Sequence, residues 1–123
     1  MLNCPRVFAR AGTTAAFGRF AAHGLRTLVG TDAYNMDLIG ELNAAAMVSK
    51  LQSGRAEVAS APELIAAVTR EAAAAVKRPD LGVIRPGARA DLTVVDLSGR
   101  CCSRSTTPAA PWCGWPTVPT STW

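Results

Sequence analysis

The chain has 123 residues, 49% hydrophobic, 18% charged and 6% aromatic, enough for one compact core and too few for a complete (β/α)8 barrel of roughly 250 residues. Thirteen Lys and Arg oppose nine Asp and Glu for a formal net charge of +4, scattered without the basic stripe or interleaved aromatics of a nucleic-acid binder. Charges break every apolar run well short of the ~20 residues that cross a bilayer, and the Met1-Leu2-Asn3-Cys4-Pro5-Arg6 start lacks a secretion signal's features, so the expectation is a cytoplasmic chain with no nucleic-acid or membrane partner.

In chain order, Thr13 or Thr14 can cap a first helix over residues 15–22, which stops at Gly24. Residues 25–30 read as a short strand, apolar at Leu25, Leu28 and Val29, and the polar Thr31-Asp32-Ala33-Tyr34-Asn35 follows as a loop in which Asn35 can cap the next helix. That helix, about residues 36–50, places Leu38, Ile39, Leu42, Ala45 and Ala46 on one face. After the loop Gln52-Ser53-Gly54-Arg55, Ser60 and Glu63 form a capping box with Pro62 in the first turn. The third helix then runs over residues 61–77, with Leu64, Ile65, Val68, Ala72 and Val76 on a stripe and an end near Arg78-Pro79. Pro86-Gly87 marks a turn, and residues 92–97 form a strand of β-branched character. The expected order is helix, strand, helix, helix, strand.

Composition changes at Arg100. All nine acidic residues precede it, whereas residues 101–123 hold one charge, Arg104, one aliphatic, Val118, all three Trp and four Pro among many Ser and Thr. Such a segment buries little apart from its indoles and is expected to be disordered. One GC-rich back-translation of residues 101–123, read in a shifted frame, gives a more ordinary balance of charges and aliphatics, so the tail reads as a possible frameshift product for the nucleotide sequence to decide. Cys4, Cys101, Cys102 and Cys113 show no C-x-x-C spacing and are expected as free thiols.

Asp32 is the first candidate for chemistry. It follows a strand and precedes a helix, the place where α/β architectures display functional groups. A carboxylate there can ligate a divalent metal or take a proton from metal-bound water; it can equally cap its own loop through an Asx-type hydrogen bond. His23 reads as a helix-end residue beside terminal carbonyls, Asn35 as a helix cap and Glu41 as a solvated helix charge.

Leu28-Val29-Gly30-Thr31-Asp32 with Asp37 and Glu41, then Gly87-Ala88-Arg89-Ala90-Asp91-Leu92-Thr93-Val94-Val95-Asp96, resembles the C-terminal part of the amidohydrolase superfamily, near its cytosine-deaminase-like and chlorohydrolase-like branch. The resemblance covers roughly residues 3–100. It implies an α/β fold: residues 1–80 as the last strands and helices of a partial (β/α)8 TIM barrel, 81–100 as part of a small β-sandwich, and 101–123 as the tail. Residues 25–30 would be the eighth barrel strand, with Cys4-Pro5 in or just after the seventh. Asp32 would bind or face the metal and accept a proton from the attacking water, Asp91 would be structural, and Asn35 and Asp37 would stand at the mouth as substrate-binding residues.

The resemblance further implies a metal-dependent hydrolase, with Zn or Fe in the intact enzyme, that cleaves a C–N or C–Cl bond of a small nitrogen heterocycle or amidine. The His-x-His pair and further His ligands of that family are not in this sequence, whose one histidine is His23. One carboxylate does not hold a catalytic zinc, which takes about three protein ligands, so the chain is expected to bind no metal and turn over no substrate alone. Open strand edges also predict marginal stability and leave a homo-oligomer open. The alternative reading is a small noncatalytic α/β module for protein interaction or nucleic-acid binding.

Overall fold

A computed structural model of the chain describes residues 2–14, 16–33 and 36–94. The chain divides into two units, Met1–Asp91 and Leu92–Trp123.

The first unit is built on a parallel pair of short strands. β1 (Leu2–Asn3) pairs with β2 (Leu28–Val29), Leu2 opposite Leu28 and Asn3 opposite Val29, and the pairing continues as Gly30 N–H donates to the Asn3 carbonyl at 2.9 Å. Parallel strands need a long crossover, and two helices fill it: α1 (Pro5–Arg10) and α2 (Phe17–Ala22). Pro5 opens α1, where its fixed φ and missing N–H cost nothing. Of the strand expected at 25–30, residues 28–29 are present; the first helix begins at Phe17 with Ala16 as its N-cap rather than Thr13 or Thr14, and ends at Ala22 as expected. Gly24 has φ +71°, a left-handed conformation that only glycine adopts freely. Neither β1 nor α1 shows a period, since two and six residues are too few; a strand beside Cys4-Pro5 was expected from the family resemblance alone, and α1 was not expected.

α3 (Leu38–Ser53) begins two residues later than expected. Its N-cap is Asp37, whose Oδ1 accepts the Gly40 N–H at 2.9 Å; Asn35, the expected cap, lies outside the described residues. Leu42, Ala45 and Ala46 are buried as the helical period requires, with Leu38 packed against them. Two polar residues, Glu41 and Ser49, share this buried face.

The expected single helix over 61–77 is broken in two, α4 (Ala61–Val68) and α5 (Arg70–Ala75). Ser60 N–H donates to Glu63 Oε2 at 2.8 Å, which bears out the capping box. The break falls at Thr69, with φ −116° and ψ −97°, whose hydroxyl donates to the Ile65 carbonyl at 2.7 Å. Local bonding of this kind competes with the helix ladder. Within α4 Leu64 is fully buried but its neighbour Ile65 is 45% exposed, and beyond the break Val76 is 66% exposed while Ala73 is buried instead.

The core comprises Phe17, Val29, Leu42, Ala45, Ala46, Ala59, Leu64 and Ala67, so α2, α3 and α4 meet on the inner strand residue. Lys50 Nζ ties down the loop after α3 by donating to the carbonyls of Ala56 and, at 3.0 Å, Val58. Beyond α5, Ala88 N–H donates to the Arg85 carbonyl at 3.1 Å, closing the expected Pro86-Gly87 turn. Arg78 pairs with Asp80, Nη2 to Oδ2 at 2.6 Å.

The second unit is described only at residues 92–94, which carry no regular secondary structure. This corrects the strand expected there: β-branched character favours a strand only where a neighbour supplies ladder hydrogen bonds. Residues 95–97 and the tail 101–123, with Cys101, Cys102 and Cys113, lie outside the described residues.

Candidate active site

Parallel pairing brings the carboxyl ends of β1 and β2 to one side, so the residues leaving the two strands become neighbours. From β2 the chain runs through Gly30 and Thr31 to Asp32, which is exposed and has φ +54°. Aspartate tolerates that left-handed conformation because its short side chain bonds locally: Oδ1 accepts the Ala33 N–H at 2.7 Å. Thr31 Oγ1 donates to the Asp32 carbonyl at 3.2 Å. Asp32 therefore makes a local hydrogen bond within its loop, to the next residue rather than two residues on as in an Asx turn, while presenting a carboxylate to solvent.

From β1 the chain leaves through Asn3 and Cys4, both buried. Cys4 is a free thiol. Burial pushes its pKa up, the carboxylates of Asp32 and then Glu41 push it further, and the Asp32 backbone N–H acts in the opposite sense. Cys4 and Asp32 are thus adjacent at the strand ends.

Glu41 differs most from its expected place. Rather than a solvated helix charge, it is wholly buried, because position 41 falls on the same face of α3 as Leu42 and Ala45. A buried carboxylate needs compensation, and Arg6 supplies it. Glu41 Oε2 accepts the Arg6 backbone N–H at 3.0 Å, and Oε1 lies 3.7 Å from Arg6 Nε. Arg6 Nη1 in turn lies 3.5 Å from Asp37 Oδ2. Burial raises the Glu41 pKa; the Arg6 N–H and guanidinium act against it, and Asp37 adds to the rise. Sequence reading missed Glu41 because a lone acid on a helix is usually solvent-facing; its spacing from Leu38, Leu42 and Ala45 was the available signal.

Of the expected site residues, Asp32 is at the strand end and Asp37 caps α3 beside Arg6. Asn35 lies outside the described residues. His23 is the C-terminal cap of α2, at the helix end as expected. Among the described residues no three His, Cys, Asp or Glu side chains gather where they could hold a metal ion. Among the described residues Asp32 thus has no set of side chains that makes up a catalytic metal site with its usual three protein ligands.

The family model described as "Amidohydrolase family" matches residues 3–118. The chain belongs to the amidohydrolase family. This match begins at Asn3, the second residue of β1, covers β2, every helix of the described residues and the turn at Pro86-Gly87, and runs past the composition boundary at Arg100. Two similar proteins carry the name 5-methylthioadenosine/S-adenosylhomocysteine deaminase. That of Teredinibacter turnerae is 31% identical over 104 residues, covering 80% of this chain and 24% of its own length. That of Nitratidesulfovibrio vulgaris is 34% identical over 92 residues, covering 72% of this chain and 21% of its own length. The amidohydrolase chain thus spans under a quarter of the length of these curated relatives. No helix among the described residues is long and apolar enough to cross a membrane.

Proposed function

We propose that the chain is the closing portion of an amidohydrolase barrel, in which β1 and β2 are the seventh and eighth strands and residues 81–100 lead into a small β-sandwich. The whole protein then hydrolyses a C–N bond of a nitrogen heterocycle, in keeping with the deaminase names of its relatives; a C–Cl bond is the other leaving group that the resemblance allows. A divalent metal of the family would take its other ligands from segments outside this chain, and the chain alone is inactive.

The observation that carries this reading is Asp32, an exposed carboxylate three residues beyond a parallel strand, on the side where the neighbouring strand also ends, in a chain whose family match runs from Asn3 through both strand exits. In parallel barrels that end of the strands holds the reacting groups. Asp32 is suited to take the proton that water loses as its oxygen attacks the ring carbon, a transfer that contributes roughly 10²–10⁴-fold in rate. Asp37 has both oxygens engaged, Oδ1 by Gly40 N–H and Oδ2 by Arg6, which fits a supporting task better than substrate contact.

The test is a graft. Residues 3–118 replace the matched segment of the Teredinibacter turnerae deaminase, and ammonia release from 5-methylthioadenosine is measured. The folded graft is expected to turn over while the chain alone gives no release above the blank. A folded graft without turnover, or turnover by the chain alone, overturns the reading.

A further inference from the structure

We propose that Asp37 and Glu41 form a two-carboxylate clamp on Arg6 that holds the exit of β1 against the exit of β2, making Glu41 a positioning residue for Asp32. Its functional meaning rests on the reading of Asp32 given above; its geometry does not. Asp37 and Glu41 are four residues apart on one face of α3 and reach the same guanidinium, at 3.5 Å and 3.7 Å. Glu41 also accepts the Arg6 backbone N–H, which lies in the first turn of α1 and has no acceptor within that helix. Arg6 is therefore fixed by both main chain and side chain to a helix thirty-five positions away.

The clamp has room because residue 40 is glycine. A Cβ there would collide with the Asp37 carboxylate and stand 2.7 Å from Arg6 Nη1. Two residues before Arg6, the Cys4 thiol is buried, and one residue earlier the Asn3 carbonyl accepts Gly30 N–H. The segment from Asn3 to Arg6 is thus held on one side by the β2 exit and on the other by α3. An apolar side chain would fill position 41 without the cost of burying a charge. What the carboxylate adds is a directed attachment, and it fixes the backbone against which the Asp32 turn rests.

The full chain is compared with its Glu41→Ala, Glu41→Gln and Gly40→Ala variants. Amide exchange is read residue by residue, and iodoacetamide alkylation at one pH is followed on the Cys4 peptide. Glu41→Ala is expected to speed exchange at Arg6 and Gly30 and alkylation of Cys4 by about tenfold or more, with the Leu64 amide in α4 unchanged. Glu41→Gln keeps an acceptor for the Arg6 N–H and is expected to restore slow exchange there. Gly40→Ala is expected to speed Cys4 alkylation while α3 amides stay as protected as before, since alanine favours the helix.

Unchanged rates at Arg6, Gly30 and Cys4 in Glu41→Ala overturn the proposal, as does a rise at Leu64 equal to that at Arg6, which marks general loosening. Should Glu41→Ala not fold, the other two variants decide: fast Arg6 exchange in Glu41→Gln, or unchanged Cys4 alkylation in Gly40→Ala, overturns it. None of these readouts depends on turnover, so an inactive graft and a failed clamp are told apart.

Discussion

Gly18 and Ser49 join α2 to α3: the Gly18 N–H donates to Ser49 Oγ at 3.0 Å, and a Cβ at residue 18 would stand 3.3 Å from Ser49 Cβ. The bond supplies an acceptor to an N–H in the first turn of α2, where none exists within the helix. Ser49→Ala therefore leaves a donor unsatisfied at a packed helix contact and is expected to cost about 1–2 kcal/mol. Urea unfolding checks this, and a midpoint equal to that of the unaltered chain contradicts it.

Leu64 is wholly buried in the core. Leu64→Ala removes its contacts and leaves a void, at an expected cost of about 2–5 kcal/mol, whereas Ile65→Ala, at a 45% exposed position, is expected to cost about 1 kcal/mol or less. Circular dichroism melts of the two variants give the comparison, and equal losses would place the broken helix in the wrong phase.

Asp80 supplies an acid-side dependence. The Arg78 hydrogen bonds hold its pKa at about 2, down from 3.8. A depressed carboxyl contributes stability above its unfolded value, and that contribution is lost as pH falls from 3.8 towards 2. Asp80→Asn is expected to flatten the stability curve across that window, as read by urea midpoints at closely spaced pH values.

Glu41 acts in the opposite sense. Burial raises its pKa above the ordinary 4.5, so just above pH 4.5 the folded chain keeps a proton that the unfolded chain has released. Its contribution is complete below 4.5 and is lost as pH rises through the higher folded value. Glu41→Gln has no such proton, so its stability is expected to fall less than that of the unaltered chain on going from acid to neutral pH. Parallel curves for the two proteins would contradict this.

The sequence carried the parts of the fold that repeat or punctuate. Leu42, Ala45 and Ala46 lie on the face their spacing requires, and Ser60 with Glu63 marks the start of α4. Short or tertiary features were illegible. β1 has two residues and no period, so only the family resemblance, not the residue pattern, put a strand beside Cys4-Pro5; a strand that short is defined by its partner, residues 28 and 29. The break at Thr69 coincides with the approach of Gly82, where a Cβ would stand 2.6 Å from the Thr69 carbonyl carbon; no local pattern announces a contact made across thirteen positions.

The site was legible in proportion to its locality. Asp32 could be singled out because strand, turn and helix surround it within a few residues. Its neighbours Cys4 and Glu41 come from elsewhere in the chain, and only folding brings their charges and thiol near one another. Asp37 was named for the barrel mouth from the resemblance, and its bonds to Gly40 and Arg6 could not be read from the residues around it.

The most direct measurement is ammonia release by the grafted deaminase carrying Asp32→Asn, set beside the same graft carrying Asp91→Asn. Loss of about 10²–10⁴-fold in kcat is expected for the first, with the second close to the unaltered graft. An Asp32→Asn graft that works at the unaltered rate would contradict the assignment of this carboxylate to the reaction.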